Sequence, residues 1–445
     1  MNILFAIPYA PTLIRVRPYN LIRQLTARGH QVTVMTVWTN QQEREALEEL
    51  HASCSQVASV QLPGWRSLWN CVWALPSGKP LQTVYSWEKN LAQASFERLV
   101  QPGSAGKIDV VHVEHLRGAR YGLYLKSRMK AEGIDIPIVW DSVDSISHLF
   151  RQAMRRSKSA INRGITRFEL KRTEPYEAWL ATQFDRTLVT SRLDREAMLS
   201  LVSQHGIAVN TGDGSQAASG AVDEHSENAG FGNAANDSDR ITVLRNGVDL
   251  EYFQPGDPEK REPATVLASG KMSYHANVTM VVRLVESIMP AVWARDPGVK
   301  VVIVGKDPPK RIRDLQQDAR VAVTGTLADI RPHLQTATIA AAPIDYGAGI
   351  QNKVLEAMAC ATPVIATPQA VSAIDLEPGV DALVAEDDQS FAEAILALIG
   401  DRERQIILGG NGRRYVERNH RWSAIAEQLE AIYRQEIESR YLIRK

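Results

Sequence analysis

Short, uninterrupted apolar runs alternate along this chain with stretches whose apolar residues recur at helical spacing. Residues 2–8 form the first run, residues 17–28 carry a helical pattern closed by Gly29, and residues 31–37 form the next run. Further runs follow at 109–113, 137–140, 188–191 and 241–245. After residue 260 the pattern restarts, with runs at 265–268, 300–304, 322–324 and 338–342 and a helical stretch at 278–293. Continuous apolar strands separated by helices belong to parallel sheets covered on both faces. The pattern therefore predicts the α/β class, with two doubly wound domains facing a cleft and ligands at the carboxyl ends of the strands.

The expected division is a first domain over 1–248 and a second over 249–424. Trp422, Ile425, Leu429, Ile432 and Tyr433 share a helical face, which predicts that a C-terminal helix over 425–445 packs back on the first domain. Residues 206–240 interrupt the pattern. They are rich in Gly, Ser, Asn, Ala and Asp, carry almost no large apolar side chains, and read as a disordered surface insertion.

Composition narrows the function classes. A chain of 445 residues is too long for one ordinary core. Lys plus Arg equals Asp plus Glu at 51 each, so no global basic field points to nucleic acid. The three cysteines, Cys54, Cys71 and Cys360, have no metal-ligand spacing and cannot build a disulfide framework, which suits a reducing cytoplasm. No apolar run approaches the roughly 20 residues of a membrane span. The apolar start lacks a basic leader and reads as a strand. The expected location is cytoplasmic.

The densest chemistry lies at 340–367, where an apolar strand, a glycine-bearing turn, a helix opening near Gln351 and a second strand follow one another. Gly347 and Gly349 fit a tight turn or a close approach to a ligand. The helix after them points its N–H groups and positive dipole end back at the turn, which suits a phosphate. Lys353 lies in its first turn and Glu356 three residues later, so a cation and a carboxylate flank the cradle, as a nucleoside diphosphate requires.

RNGVDLEYF at 245–253 together with EAMACATPVIAT at 356–367 resembles the family-4 retaining glycosyltransferases of the GT-B fold. EPYEAWLATQFDRTLVTS at 174–191 fits the same family, and the resemblance extends over nearly the whole chain. The string GIQNKVLEAMA at 349–359 is similar to that of an exopolysaccharide-associated branch of sugar transferases.

The resemblance implies a metal-independent transferase without cofactor that moves a sugar from a nucleoside-diphosphate donor to a glycan or lipid-linked acceptor. It implies that Glu356 accepts hydrogen bonds from the ribose hydroxyls. Ser269, Gly270 and Lys271 match a donor turn whose basic residue neutralises the leaving diphosphate. The family's next lysine would fall on Ala276, and Lys353 is expected to replace it. Thr324 and Gly325 match the segment bordering the base, and Gly347, Gly349, Ile350, Gln351 and Asn352 complete the donor site.

Two departures stand out. Ala348 occupies the place of a sugar-contacting glutamate, so sugar contacts are expected from backbone amides. Ala361 occupies the place of a glycine, which costs on the order of 1 kcal/mol if the backbone there is left-handed.

The first domain is expected to hold the acceptor. Arg15 and Arg17, near the first strand-to-helix turn, are candidates for an acceptor phosphate. Asp144, in a loop resembling the branch's aspartate-bearing one, is the candidate catalytic carboxylate, ahead of Asp141. His115 and His148 are assigned no role. Residues 151–174 carry eight basic against two acidic side chains. Trp65, Trp69 and Trp73 form one helical stripe, ordinarily a core feature but equally at home at a membrane surface. Peripheral contact with anionic membrane is therefore an expectation. Two other readings remain open here, a nucleotide-sugar 2-epimerase of the same fold and a non-catalytic subunit that binds nucleotide sugars. A dinucleotide oxidoreductase is disfavoured, because the glycines do not form its fingerprint.

Overall fold

In the computed structural model, residues 1–12, 15–51, 54–101, 106–156, 160–206, 240–347 and 349–443 are described. Nearly all of the expected insertion at 206–240, and Ala348 with the reading attached to it, lie outside them. The chain divides into two compact units. One comprises Met1–His148, Gly164–Val243 and Glu430–Lys445; the other comprises Leu149–Arg163 and Leu244–Leu429. The expected boundary at 248 falls just beyond the observed break.

The first unit is built on seven parallel strands: β1 (Asn2–Ile7), β2 (Gln31–Trp38), β3 (Gln56–Gln61), β4 (Val110–Glu114), β5 (Ile138–Val143), β6 (Arg186–Val189) and β7 (Ile241–Val243). Their order across the sheet is β3-β2-β1-β4-β5-β6-β7. The second unit has six parallel strands: β8 (Thr265–Ser269), β9 (Lys300–Val304), β10 (Val321–Val323), β11 (Ile339–Ala342), β12 (Val364–Ala366) and β13 (Leu383–Val384), ordered β10-β9-β8-β11-β12-β13.

Both sheets thus reverse direction beside their first strand, between β1 and β4 and between β8 and β11. In a doubly wound sheet that switch point opens the ligand crevice. The central strands β1, β4, β8 and β11 are buried almost throughout, as uninterrupted apolar sequence requires.

The C-terminal helix, Trp422–Ile443, begins in the second unit, and from Glu430 onward it belongs to the first. There Tyr433 Oη lies 2.7 Å from His112 Nδ1 beneath β4, and Arg186 donates to Glu436 at 2.6 Å. Arg28 Nε adds a 2.8 Å contact to Glu430. The expected return of this helix is therefore made largely by buried or half-buried polar pairs.

The tryptophan stripe is not core. The helix Gly64–Ala74 turns Ser67 and Ala74 inward and leaves Trp65, Trp69 and Trp73 outside, 66, 57 and 71% exposed. Its small and polar residues fit against the unit, and its large apolar ones do not.

Candidate donor and acceptor sites

The segment after β11 is shaped by hydrogen bonds to its backbone. Thr367 Oγ1 donates to the carbonyl of Ile344 at 2.7 Å, and Gln369 Nε2 donates to that of Gly347 at 2.9 Å. Gly347 N–H donates to Gln152 Oε1 at 3.2 Å. Gly349 takes a left-handed conformation, φ 66°, which glycine adopts without steric cost, and buried Ile350 anchors the turn.

The helix Asn352–Ala359 then starts without a side-chain cap from Gln351 and without an acidic residue in its first turn. Its first N–H groups have no partner within the helix, which makes this end receptive to an anion. The Oδ1 atom of Asn352 is buried there without a hydrogen-bond partner among the described residues. Val354, Leu355, Ala357, Met358 and Ala359 bury the opposite face and fix the helix on the sheet.

Lys353 and Glu356 project from the helix into a dense protein environment while keeping some access to solvent. Desolvation pushes the Lys353 ammonium down to about 8, against the attraction of Glu356. It pushes the Glu356 carboxyl up to about 7, against the attraction of Lys353. Lys353 Nζ donates to Gln351 Oε1 at 3.2 Å. A narrow cavity at the switch point is lined by Lys353 together with Ser269, the last residue of β8, and Ala342, the last of β11.

Gly270 follows with φ 147°, and its N–H donates to the Val304 carbonyl at 3.0 Å. A Cβ on Gly305 would lie 1.8 Å from the Gly270 carbonyl oxygen, so the turn after β9 packs on the turn after β8 only because it carries glycine there. Sequence reasoning missed Gly305. Its signal was the pattern already read at Ser269-Gly270, an apolar strand ended by glycine.

The expected donor residues thus divide. Ser269, Gly270, Gly349, Ile350, Gln351, Asn352, Lys353 and Glu356 collect around the switch point of the second unit. Thr324 and Gly325 lie farther along the same carboxyl edge, after β10, where Thr324 N–H donates to Ile303 at 3.0 Å. The Lys271 side chain is exposed, while its carbonyl accepts from Asn277 Nδ2 at 2.9 Å. Ala276, where the family's next lysine would fall, is buried.

In the first unit, the switch point gathers Tyr9, Glu114 and His115. Arg15 Nη1 pairs with Glu43 at 3.1 Å, and its guanidinium sits 4.5 Å above the Tyr9 ring, leaving about a third of the side chain exposed. Arg17, the other acceptor candidate, is 3% exposed, and its Nε donates to buried Asp141 at 2.8 Å.

Asp144 receives a hydrogen bond from Thr190 Oγ1 at 3.1 Å. Burial, with Asp194 nearby, pushes its carboxyl up to about 7. His115 has φ 62° and Val143 φ 70°, so the chain is strained at the ends of both β4 and β5. Desolvation, with Arg117 and Arg15 close by, pushes the His115 imidazole down to about 3 and keeps it neutral. A lone histidine in sequence gave no sign of this strain.

His112, Glu114 and Asp141 bring three potential ligand atoms within 4.8 Å of one another, all buried. Arg17 already supplies a cation to Asp141, and Tyr433 holds the other ring nitrogen of His112. The trio reads as a neutralised buried network.

Two family profiles match the chain, one described as "Glycosyl transferase 4-like domain" over residues 14–209 and one as "Glycosyl transferases group 1" over residues 263–401. The alpha-maltose-1-phosphate synthase of Mycolicibacterium smegmatis is 30% identical over 230 residues, 44% of this chain and 57% of that protein. A GDP-mannose-dependent alpha-(1-6)-phosphatidylinositol monomannoside mannosyltransferase of Mycobacterium tuberculosis is 29% identical over 222 residues, 45% and 56% of the respective chains. The chain therefore spans little more than half the length of these curated relatives.

Among solved structures, HepE of Anabaena in complex with UDP and glucose superposes with a TM-score of 0.60 at 14% identity, covering 98% of this chain and 100% of that one. Sucrose-phosphate synthase of Thermosynechococcus elongatus superposes with a TM-score of 0.63 at 17% identity, covering 98% and 99%. At such identities the likeness establishes the fold, two parallel sheets of the GT-B type.

Proposed function

We propose that this chain is a glycosyltransferase of the GT-B fold and transfers a sugar from a nucleoside-diphosphate donor to a hydroxyl group of an acceptor. The observation that carries the reading is the Lys353–Glu356 pair at the start of an uncapped helix, with Lys353 beside Ser269 at the switch point of the second unit. Glu356 accepts the ribose hydroxyls. The amides of Ile350, Gln351 and Asn352, with Lys353 and Lys271, take up the charge that develops on the departing diphosphate.

Transfer proceeds with retention. The bond from the anomeric carbon to the phosphate oxygen breaks, and the bond to the acceptor oxygen forms on the same face. The acceptor proton passes to the departing phosphate oxygen. Such a reaction needs orientation and charge stabilisation more than a protein nucleophile. No divalent ion is required in this scheme, since lysines and helix amides meet the diphosphate charge.

Asp144, Arg15 and His115 mark the acceptor side in the first unit. The acceptor class proposed is a growing glycan or lipid-linked sugar of polysaccharide assembly. The phosphatidylinositol monomannoside named in the Mycobacterium tuberculosis relative supports the lipid-linked alternative.

The test is release of nucleoside diphosphate from a panel of UDP-, GDP- and ADP-sugars in the presence of EDTA. Slow release from one donor, accelerated by a lipid extract containing acceptor, is expected. Formation of an epimeric nucleotide sugar without release would contradict the reading.

A further inference from the structure

The helix Gly64–Ala74 is laid on the first unit with its polarity reversed. Ser67 and Ala74 are buried, and Asn70 Nδ2 donates to the Trp87 carbonyl at 2.9 Å. Outward stand Trp65, Leu68, Trp69, Val72 and Trp73, each more than half exposed. Trp69 and Trp73 meet edge to face, with ring centroids 6.3 Å apart. Arg66, the one charged residue of the helix, is drawn aside to Glu88 at 2.9 Å. A folded chain rarely leaves so large an uncharged aromatic face in water.

The face is continuous with a second element. Arg172, on the helix Ala160–Gln183, donates to the carbonyls of Leu75 at 2.7 Å and Lys79 at 3.3 Å. Its guanidinium stacks 4.1 Å above the Phe168 ring. Ile165 and Phe168 thereby extend the apolar surface, both exposed. Lys79, Arg167 and Lys171 stand exposed around it, while the nearby acids Glu88 and Glu169 are turned inward. The result is an aromatic, uncharged face with a basic rim.

We propose that this face docks on an anionic lipid bilayer, with the Gly64–Ala74 helix lying in the headgroup region and the basic rim contacting the lipid phosphates. Three features select that occupant. Tryptophan concentrates at the boundary between hydrocarbon and water, where its ring is buried and its N–H stays wet. An interfacial helix carries its aromatic residues on one face and gains from basic neighbours at an anionic surface. A symmetric pairing with a second copy of the chain would instead set each basic rim near its own image. Docking of this face does not depend on the transfer reaction, because vesicle binding is read without turnover.

The experiment is co-sedimentation with vesicles of phosphatidylcholine alone and of phosphatidylcholine mixed with phosphatidylglycerol. The wild type, a Trp65→Ser/Trp69→Ser/Trp73→Ser variant and an Arg167→Gln/Lys171→Gln variant are compared. The wild type is expected to bind the mixed vesicles with a blue shift of tryptophan emission. The triple variant should bind about tenfold more weakly or not at all, with its melting temperature kept because these side chains make little contact with the fold. The double variant should lose the preference for anionic lipid and its sensitivity to salt. Absence of binding to mixed vesicles overturns the proposal, as does binding left unchanged in both variants. Self-association that the triple variant abolishes, without vesicle binding, overturns it in favour of a second copy as occupant.

Discussion

Lys353 and Glu356 carry opposite charges in surroundings that disfavour each of them. The folded protein holds the Glu356 proton more tightly than the unfolded chain, up to about 7. Its contribution to stability is therefore fully present below the unfolded value and is lost as pH rises through about 7. Lys353 behaves in the opposite sense. Its folded value falls to about 8, so the charged form costs stability at neutral pH, and that cost fades as pH rises above about 8. In the proposed donor complex both side chains act in their charged forms.

Affinity for a nucleotide sugar, whose phosphate diesters do not titrate in this range, should therefore be greatest between pH about 7 and about 8. Titration calorimetry should show Glu356→Gln abolishing the acid arm of that profile and Lys353→Ala the alkaline arm. A flat profile in the wild type would count against both assignments.

Ala361 offers a separate residue-scale test. Its φ of 53° places an L residue in the left-handed region, where the family's glycine is unstrained. Ala361→Gly should stabilise the protein by about 0.5–1 kcal/mol in urea denaturation, the relief of left-handed strain less the added chain entropy of glycine. An unchanged midpoint would mean that the surroundings already relieve the strain.

At the scale of elements, the proposed donor site depends on loops that touch through glycine. Gly305→Ala places a Cβ against the Gly270 carbonyl, where backbone must yield, so both the melting temperature and donor affinity should fall. Gly64→Ala, with open space around its Cβ and an ordinary backbone, serves as the neutral control. Equal melting temperatures for the two variants would refute the interlock.

The central strands were legible in the sequence because strands buried on both faces must be apolar throughout. β3 escaped notice because it is an edge strand whose Gln56, Ser59 and Gln61 interrupt the apolar run. β13 escaped because it is only two residues long. The turn between β11 and the helix Asn352–Ala359 is legible from its local glycines. The burial of Arg17 is not, since its partner Asp141 lies 124 residues away in sequence and nothing local announces the pair. The spacing of Trp65, Trp69 and Trp73 marks a helix, but spacing alone does not say which way a stripe faces.

For the whole molecule, the repeated α/β pattern carried the architecture because two switch points follow directly from two doubly wound sheets. The returning helix was readable from its apolar spacing. Its grip on the first unit, through Tyr433, Glu436 and Arg440, depends on partners hundreds of residues earlier. The proposed binding place of the nucleoside-diphosphate sugar is the β8/β11 switch point of the second unit. Calorimetric titration of wild type, Lys353→Ala and Glu356→Gln with UDP-, GDP- and ADP-sugars tests it most directly. One donor should bind the wild type and bind each variant at least about tenfold more weakly, a loss of about 1.4 kcal/mol or more, with folding intact. Binding of no donor, or equal affinity in all three proteins, would contradict it.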